Sequence, residues 1–370
     1  MKILILSSNL SNDAGGYSES SFLLREKLEL INNEVHLLGF WKSKYYNLNY
    51  KLTDKINIFL PGIINKFPFS YKYFKKIFLV KPEIIDIQGI WSSTSIFSLI
   101  YYFFSKTPYI VTPRGMLEKW ALKQSYFKKR LFYFFVERFH LKFATYLRAT
   151  SELEAETFKN LGFKNIITIP NSIKIPKKKS KIKLNNKKRK RLLFLSRLHP
   201  KKGVMELLDC WRHVQDQYKD WELLICGFDE NNYKEEILKS IKKLELKRVI
   251  VKDFVTGKEK DNLYRTADLF ILLSHSENFG LAIAEALSFE IPVITTDKTP
   301  WKKLKKYNCG WCVELNLKKI INTLKLAIEL NPRERKIMGV RGRKWMIKDF
   351  SDQSIGNKML SIYKQILKKN

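Results

Sequence analysis

From Ala267 to Asp297 the chain reads ADLFILLSHSENFGLAIAEALSFEIPVITTD, an order of apolar and polar residues that few folds can hold. ADLFILL is a continuous apolar run of strand length, Leu281 to Leu287 is rich in alanine and leucine and reads as a helix, and IPVITTD reads as another strand. The loop between the first strand and the helix ends on Gly280, at a helix entrance where backbone N–H groups lack partners and the helix dipole favours an anion. Glu277 lies in that loop and Glu285 follows eight residues later on the helix. Two carboxylates able to accept hydrogen bonds from hydroxyls would therefore flank an anion site. A negatively charged, hydroxyl-rich ligand such as a sugar nucleotide suits that arrangement.

The same strand, loop and helix order recurs. Lys2 to Ser7 is a buried strand, and SNDAGGYSES leads into an amphipathic helix carrying Phe22, Leu23, Leu28 and Leu30, the first unit of a doubly wound domain. Gly15 and Gly16 let backbone come close to a ligand there, or simply make a tight turn. Short strands follow at Glu34 to Phe40, Ile56 to Leu60 and Ile84 to Gly89. RLLFLSRLHPKKGV repeats the pattern: a strand, a loop bearing Arg197, Lys201 and Lys202, then a helix from about Gly203. Arg197 and Lys202 are suited to charge-assisted contacts with a diphosphate, against the plain alternative of ordinary surface cations. At 370 residues the chain exceeds what one core usually sustains, so two domains are expected.

Glu277, Phe279, Gly280 and Glu285, followed by Ala286, Leu287, Pro292 and Val293, resemble the E-x7-E motif of the family 4 glycosyltransferases, retaining enzymes of the GT-B type. LSRLHPKKG is similar to that family's basic donor-diphosphate loop, and Ala14, Gly15 and Gly16 to its N-terminal glycine loop. IVTPRGMLEKWAL, TTDKTPW and CGWCVEL resemble segments of a subgroup that builds bacterial surface polysaccharides.

The resemblance implies an α/β GT-B fold of two Rossmann-like doubly wound domains facing a cleft. The expected boundaries are 1–172 for an acceptor-binding domain, 173–191 for a basic linker, 192–349 for a nucleotide-sugar-binding domain, and 350–370 for a helix returning to the first domain. In the role the family implies, Glu285 holds ribose hydroxyls and Glu277 hydroxyls of the transferred sugar. Arg197, Lys202 and the amides of Phe279, Gly280 and Leu281 hold the diphosphate, with Asp253 and Phe254 near the base, or Phe254 packed in the core instead. No metal or other cofactor is expected, and no D-x-D pair occurs in the sequence. The partners implied are a nucleotide-sugar and a glycan or lipid-linked acceptor.

Three departures from the family pattern stand out. Arg114 and Gln88 occupy positions where relatives often carry histidine, so no histidine base is named; Arg114 would stabilise phosphate charge or orient the acceptor, or else pair with Glu118 or another acid. Glu290 stands where relatives usually have glycine, at the end of the motif helix.

The formal net charge of +33 favours an anionic partner, though the Lys-, Asn- and Ile-rich composition reads as that of an AT-rich genome. The Lys174 to Arg191 tract resembles a nucleic-acid-binding tract by composition, yet its position between two α/β halves reads as an exposed linker, and no nucleic-acid partner is expected. Two stretches, Lys66 to Lys81 and Tyr126 to Phe143, mix cations with many aromatics; each suits either an interfacial helix on an anionic membrane or a core face backed by solvated charge. Ser151 with Glu154 has capping-box spacing. Cys309 and Cys312 have the spacing of a redox or metal half-site but no second pair, and reduced thiols are expected of all four cysteines. The N-terminus reads as a first strand rather than a signal peptide, and no run approaches about 20 apolar residues. A cytoplasmic protein is expected, soluble or peripheral to the inner membrane face. The rival functions are a glycoside hydrolase, which also uses two carboxylates, and a basic nucleic-acid-binding protein.

Overall fold

Short apolar strands without alternation need cover on both faces, which a parallel sheet flanked by helices supplies. The computed structural model describes residues 1–11, 16–41, 53–60, 70–177, 189–229 and 231–369, and shows that solution twice. Gly15, the first part of the Lys66 to Lys81 stretch and most of the basic linker lie outside the described residues.

The chain begins with β1 (Lys2–Ser7), α1 (Gly16–Leu30), β2 (Glu34–Phe40), β3 (Ile56–Phe59), α2 (Tyr71–Val80) and β4 (Ile84–Gln88). There follow α3 (Ser93–Ser105), β5 (Tyr109–Thr112), α4 (Lys119–Lys123), α5 (Tyr126–Phe132), a π-helical turn (Tyr133–Glu137), α6 (Arg138–Phe143), β6 (Tyr146–Ala149), α7 (Glu152–Asn160) and β7 (Ile166–Thr168). The later part carries β8 (Lys190–Leu195), α8 (Val204–Arg212), β9 (Trp221–Cys226), α9 (Tyr233–Lys243), β10 (Val249–Lys252), α10 (Gly257–Thr266) and β11 (Leu269–Leu272). It continues through α11 (Leu281–Ser288), β12 (Val293–Thr296), β13 (Gly310–Val313), α12 (Leu317–Glu329) and α13 (Pro332–Phe350), and the chain closes on α14 (Asp352–Lys369).

Two units result: Met1–Ser172 with Asp352–Asn370, and Ile173–Ser351. Each is Rossmann-like, with all strands parallel. The first sheet has the order β3-β2-β1-β4-β5-β6-β7 and the second β10-β9-β8-β11-β12-β13. Strand order reverses between β1 and β4 in one and between β8 and β11 in the other. Loops leaving the carboxyl ends of those strands diverge there, and the crevice between them is where open α/β sheets bind ligands.

In the first unit α14 packs on α1, and Ile355, Met359, Tyr363 and Ile366 are buried in the core shared with Ile3, Ile5 and Leu28. The Tyr363 hydroxyl donates to the buried Asp86 carboxylate of β4, tying the last helix to the middle of the sheet. The described part of the Lys66 to Lys81 stretch turns one face to the core, with Tyr73 fully buried and stacked on Phe40 at 4.7 Å and Phe74 meeting Phe97 at 5.0 Å, while Tyr71 and Leu79 stay exposed. Ser151 Oγ accepts from the Glu154 N–H at 3.2 Å, but the Glu154 carboxylate does not return to Ser151 as a capping box requires. It takes the N–H groups of Thr150 and Gly115 instead, at 2.7 and 2.6 Å. No helix among the described residues is long and apolar enough to cross a membrane.

Glu290 explains why glycine suits its position. The N–H of Glu290 bonds the Leu287 carbonyl and that of Ile291 the Ala286 carbonyl, both at 3.1 Å, a Schellman ending that puts Glu290 at φ 64°. A side chain in that left-handed region costs about 1–2 kcal/mol. Glu290→Gly should therefore raise the unfolding free energy by about 1 kcal/mol, less what glycine gives the unfolded chain. Urea titration checks it, and a lowered midpoint would mean that the 3.8 Å contact of Glu290 with Arg343 matters more than the backbone.

Candidate functional site

The second unit assembles its site from two loops at the strand-order reversal. After β8, residues 196–203 pass through a short 3-10 turn, Pro200–Lys202, and reach Gly203 at φ 73°. A Cβ on Gly203 would sit 2.1 Å from the Leu273 carbonyl at the end of β11, so only glycine permits the approach. Gly227, after β9, is equally constrained: its Cβ would lie 1.6 Å from the Ser196 carbonyl. The His275 N–H then bonds the Lys201 carbonyl at 2.9 Å, joining the two loops.

That junction brings Lys202 to Glu277. Lys202 Nζ donates to Glu277 Oε1 at 2.5 Å, and Ser274 Oγ donates to the same oxygen at 2.8 Å. The two side chains are only 12% and 9% exposed. Burial pushes the Glu277 carboxyl up, but the Lys202 ammonium and the Ser274 hydroxyl outweigh it and hold the group below the usual carboxylate range. Lys202, expected on a diphosphate, thus has an internal partner. Arg197, the other expected cation, is exposed just beyond β8.

Gly280 enters α11 at φ 76°, with no side chain to cap the first turn. Its neighbour Phe279 is an anchor. The ring packs against Trp301 at 5.4 Å and Phe350 at 5.9 Å, and Trp301 Nε1 donates to the Phe279 carbonyl at 2.5 Å. Midway along α11, Glu285 receives Lys260 Nζ on Oε1 and the Tyr264 hydroxyl on Oε2, both at 2.7 Å. Tyr264 is itself fixed, fully buried and stacked on Phe289 at 5.1 Å. The sequence reading missed Lys260 and Tyr264. They come from α10, and only their four-residue spacing on one helix face could have signalled them.

Asp253 and Phe254 lie at the end of β10. Asp253 is exposed and pairs with Lys234 at 2.5 Å. Phe254 is no core residue: it is 43% exposed, edge-on to the likewise exposed Phe228 at 6.1 Å. Cys309 and Cys312 are free thiols, and burial pushes Cys309 up to about 12.

The first unit has its own polar cluster at the β1/β4 reversal. Gly16 is the first residue of α1. Arg114, just after β5 at φ 56°, donates through Nε to Gln88 Oε1 at 2.8 Å and through Nη1 to Asn171 Oδ1 at 2.9 Å. Its guanidinium lies 5.2 Å from the Tyr17 ring centroid. Neutral amides, rather than an acid, hold it in place. Burial, helped by Arg148, pushes its pKa down to about 10, so it stays charged at neutral pH. Behind it, burial pushes the Asp86 and Glu154 carboxyls up against the opposing pull of Arg148 on Asp86 and of the Thr150 and Gly115 N–H groups on Glu154. Tyr17, Asn171 and Asp86 were not singled out by sequence, and Glu154 only as half of a capping box, because tertiary packing alone gathers them.

The Lys202–Glu277 pair yields a signed prediction. In the native protein Glu277 contributes stability above its unfolded pKa, and that contribution is lost as pH falls through the lower folded value. Lys202→Met leaves the carboxylate buried without its cation, which costs about 3 kcal/mol at neutral pH. Burial then raises the Glu277 pKa, so the variant gains stability as pH falls toward the unfolded value. The Tm gap to the native protein should narrow between about pH 7.5 and pH 5. Thermal melts at both pH values check it, and a constant gap would show that the pair carries no such charge coupling.

Residues 176–345 match the family model described as Glycosyl transferases group 1. An uncharacterized glycosyltransferase of Haemophilus influenzae is 30% identical over 198 residues, and the amylovoran biosynthesis glycosyltransferase AmsD of Erwinia amylovora is 32% identical over 112 residues. These matches cover 52% of this chain and 52% of the first relative, and 30% of each for the second, so the chain spans about half or less of the length of these curated relatives. Among solved structures, Anabaena Alr3699/HepE with UDP and glucose superposes with a TM-score of 0.77 at 17% identity, over 99% of this chain and 100% of that one. WaaG, a glycosyltransferase involved in lipopolysaccharide biosynthesis, gives 0.70 at 14% identity over 98% and 99%. Identity that low speaks for the fold alone. Residues 176–345 thus resemble the Glycosyl transferases group 1 family, within a chain whose fold is that of the GT-B glycosyltransferases.

Proposed function

We propose that the protein is a glycosyltransferase that moves a sugar from a nucleotide-sugar donor on the second unit to a glycan or lipid-linked acceptor. The observation that carries this reading is the pair of α11-associated carboxylates, Glu277 and Glu285, each already set against a lysine beside an uncapped helix entrance. Both bonds to Glu277 fall on Oε1, which leaves Oε2 to accept from hydroxyls of the transferred sugar. Glu285, braced by Lys260 and Tyr264, serves the ribose hydroxyls. Arg197, Lys202 and the first-turn amides of α11 stabilise charge developing on the departing diphosphate. An ammonium has three donors, so Lys202 can bond a phosphate oxygen without leaving Glu277. This use of fixed cations and dipoles makes no call on a metal.

HepE was solved with UDP and with UDP-glucose, AmsD is named for amylovoran and WaaG for lipopolysaccharide. These relatives support a nucleotide-sugar donor and a role in bacterial surface polysaccharide, with retention of configuration carried over from the family 4 resemblance. Arg114, held toward the β1/β4 reversal by Gln88 and Asn171, is assigned to the acceptor or to phosphate charge. A glycoside hydrolase is the weaker reading, since two carboxylates flanking a sugar bond make no use of Arg197 and Lys202 beside the entrance of α11.

Glu285→Ala should lose charge-assisted hydrogen bonds worth about 1.5–3 kcal/mol, roughly 10- to 100-fold in kcat/KM. A metal-free thermal-shift panel of UDP, GDP, ADP, CMP and their sugar conjugates should give a shift for one nucleotide that the variant loses. Unchanged turnover in the variant would remove Glu285 from the site. Free sugar released from an oligosaccharide without nucleotide would favour the hydrolase.

A further inference from the structure

The helical segment from Tyr126 to Phe143 has an inner face that is complete and an outer face that the fold does not use. Inside, Glu137 and His140 are fully buried, joined at 2.7 Å through His140 Nδ1. The second Glu137 oxygen accepts the Trp91 N–H at 3.1 Å, and His140 Nε2 meets Ser98 Oγ at 3.1 Å. The π-helical turn at Tyr133–Glu137 separates these inward groups from α5, which buries no residue at all. Outside stand Phe127 at 83% exposure, Leu131 at 63%, Phe134 at 60%, Phe135 at 64% and Phe139 at 42%, with Tyr126 beside them. Scattered exposed apolar residues need no explanation, but six within fourteen positions on one helical stretch do. Phe103, which meets Phe143 at 5.3 Å, and Phe104 at 78% exposure extend the patch from the end of α3.

The charges around these rings have one sign. Lys123, Lys128, Arg130, Arg138 and Lys142 are exposed, and the single acid between them, Glu137, is buried. The other stretch of similar composition makes the contrast: in α2 the aromatics Tyr73, Phe74 and Phe78 turn inward and pack, and only Tyr71 and Leu79 of its large apolar residues stand exposed. We propose that the outer face of α5, the π-helical turn and α6 docks on an anionic lipid surface, with the aromatic rings at interfacial depth and the cations on headgroup phosphates. A second copy of the chain is a poorer occupant, because a two-fold contact through this face would set its cations against each other. The proposal stands apart from the transfer reaction and fails or survives without it.

Vesicle co-sedimentation of the full chain tests it, using phosphatidylcholine with and without phosphatidylglycerol. The protein should be retained on the phosphatidylglycerol vesicles and released in part by salt. A Phe127→Ser, Phe135→Ser variant and a Lys128→Glu, Arg130→Glu variant should each lose retention by roughly tenfold or more, with unchanged Tm because all four positions lie outside the core. Equal recovery from the two vesicle types would overturn the proposal, as would full retention of either variant. So would transfer of the same substitution pattern to single-stranded nucleic acid binding or to self-association by light scattering.

Discussion

The site depends on a close approach of backbone to backbone. With Gly203 against the Leu273 carbonyl and Gly227 against that of Ser196, the loops after β8, β9 and β11 sit nearer one another than any side chain allows. Lys202 and Glu277 are 75 residues apart in sequence, and this contact rather than any local preference brings them together. The left-handed turn at Gly203 then starts α8, and a second one at Gly280 starts α11. Both helices therefore begin at the reversal of strand order, where their entrance amides can serve one anion. Glycine does this work by having no side chain, so the positions that shape the site contribute no chemistry of their own.

Desolvation sets the next condition. Carboxylates taken from water at Glu277, Glu285, Asp86 and Glu154 each require a donor, and the two units satisfy them differently. In the second unit lysines sit on the acids, leaving ionised groups beside a place for more negative charge. In the first, Asp86 draws on the Tyr363 hydroxyl, the Gln88 amide and the field of Arg148, while Glu154 draws on main-chain N–H groups and the Thr150 hydroxyl. The lysine arrangement can exchange partners with a ligand, because ammonium donors rotate freely. The amide arrangement is directional and serves to hold Arg114 in one pose.

Much of this was legible in the sequence. Apolar runs of strand length alternating with helical segments gave the two parallel sheets, because buried parallel strands cannot be written any other way. Glu277, Gly280 and Glu285 were readable together since one loop and one helix carry them all. What was not readable came from tertiary packing. Lys260 and Tyr264 stand on a neighbouring helix with ordinary surface-helix composition. Glu154 looked like half of a capping box and instead reaches Gly115, 39 residues away. Phe254 sits at the end of a strand, yet it is open because β10 is the edge of its sheet.

The two aromatic and basic stretches show why composition could not decide their role. A helix buries one face, and which residues lie on it depends on phase. In α2 the sequence places Tyr73, Ile77 and Val80 at helical spacing, so a continuous helix turns that face inward and sends Lys72, Lys75 and Lys76 outward. Between Tyr126 and Phe143 the aromatics come in adjacent pairs, at 126–127 and 134–135, and all four of these rings lie outside. The π-helical turn shifts the phase once, and the turn it gives to the core carries Glu137, which locks His140 and the Trp91 backbone. A buried acid thus occupies the phase that a phenylalanine would otherwise fill. The apolar rings are left outside as a consequence of the register that satisfies Glu137 and His140, with exposed cations set between them.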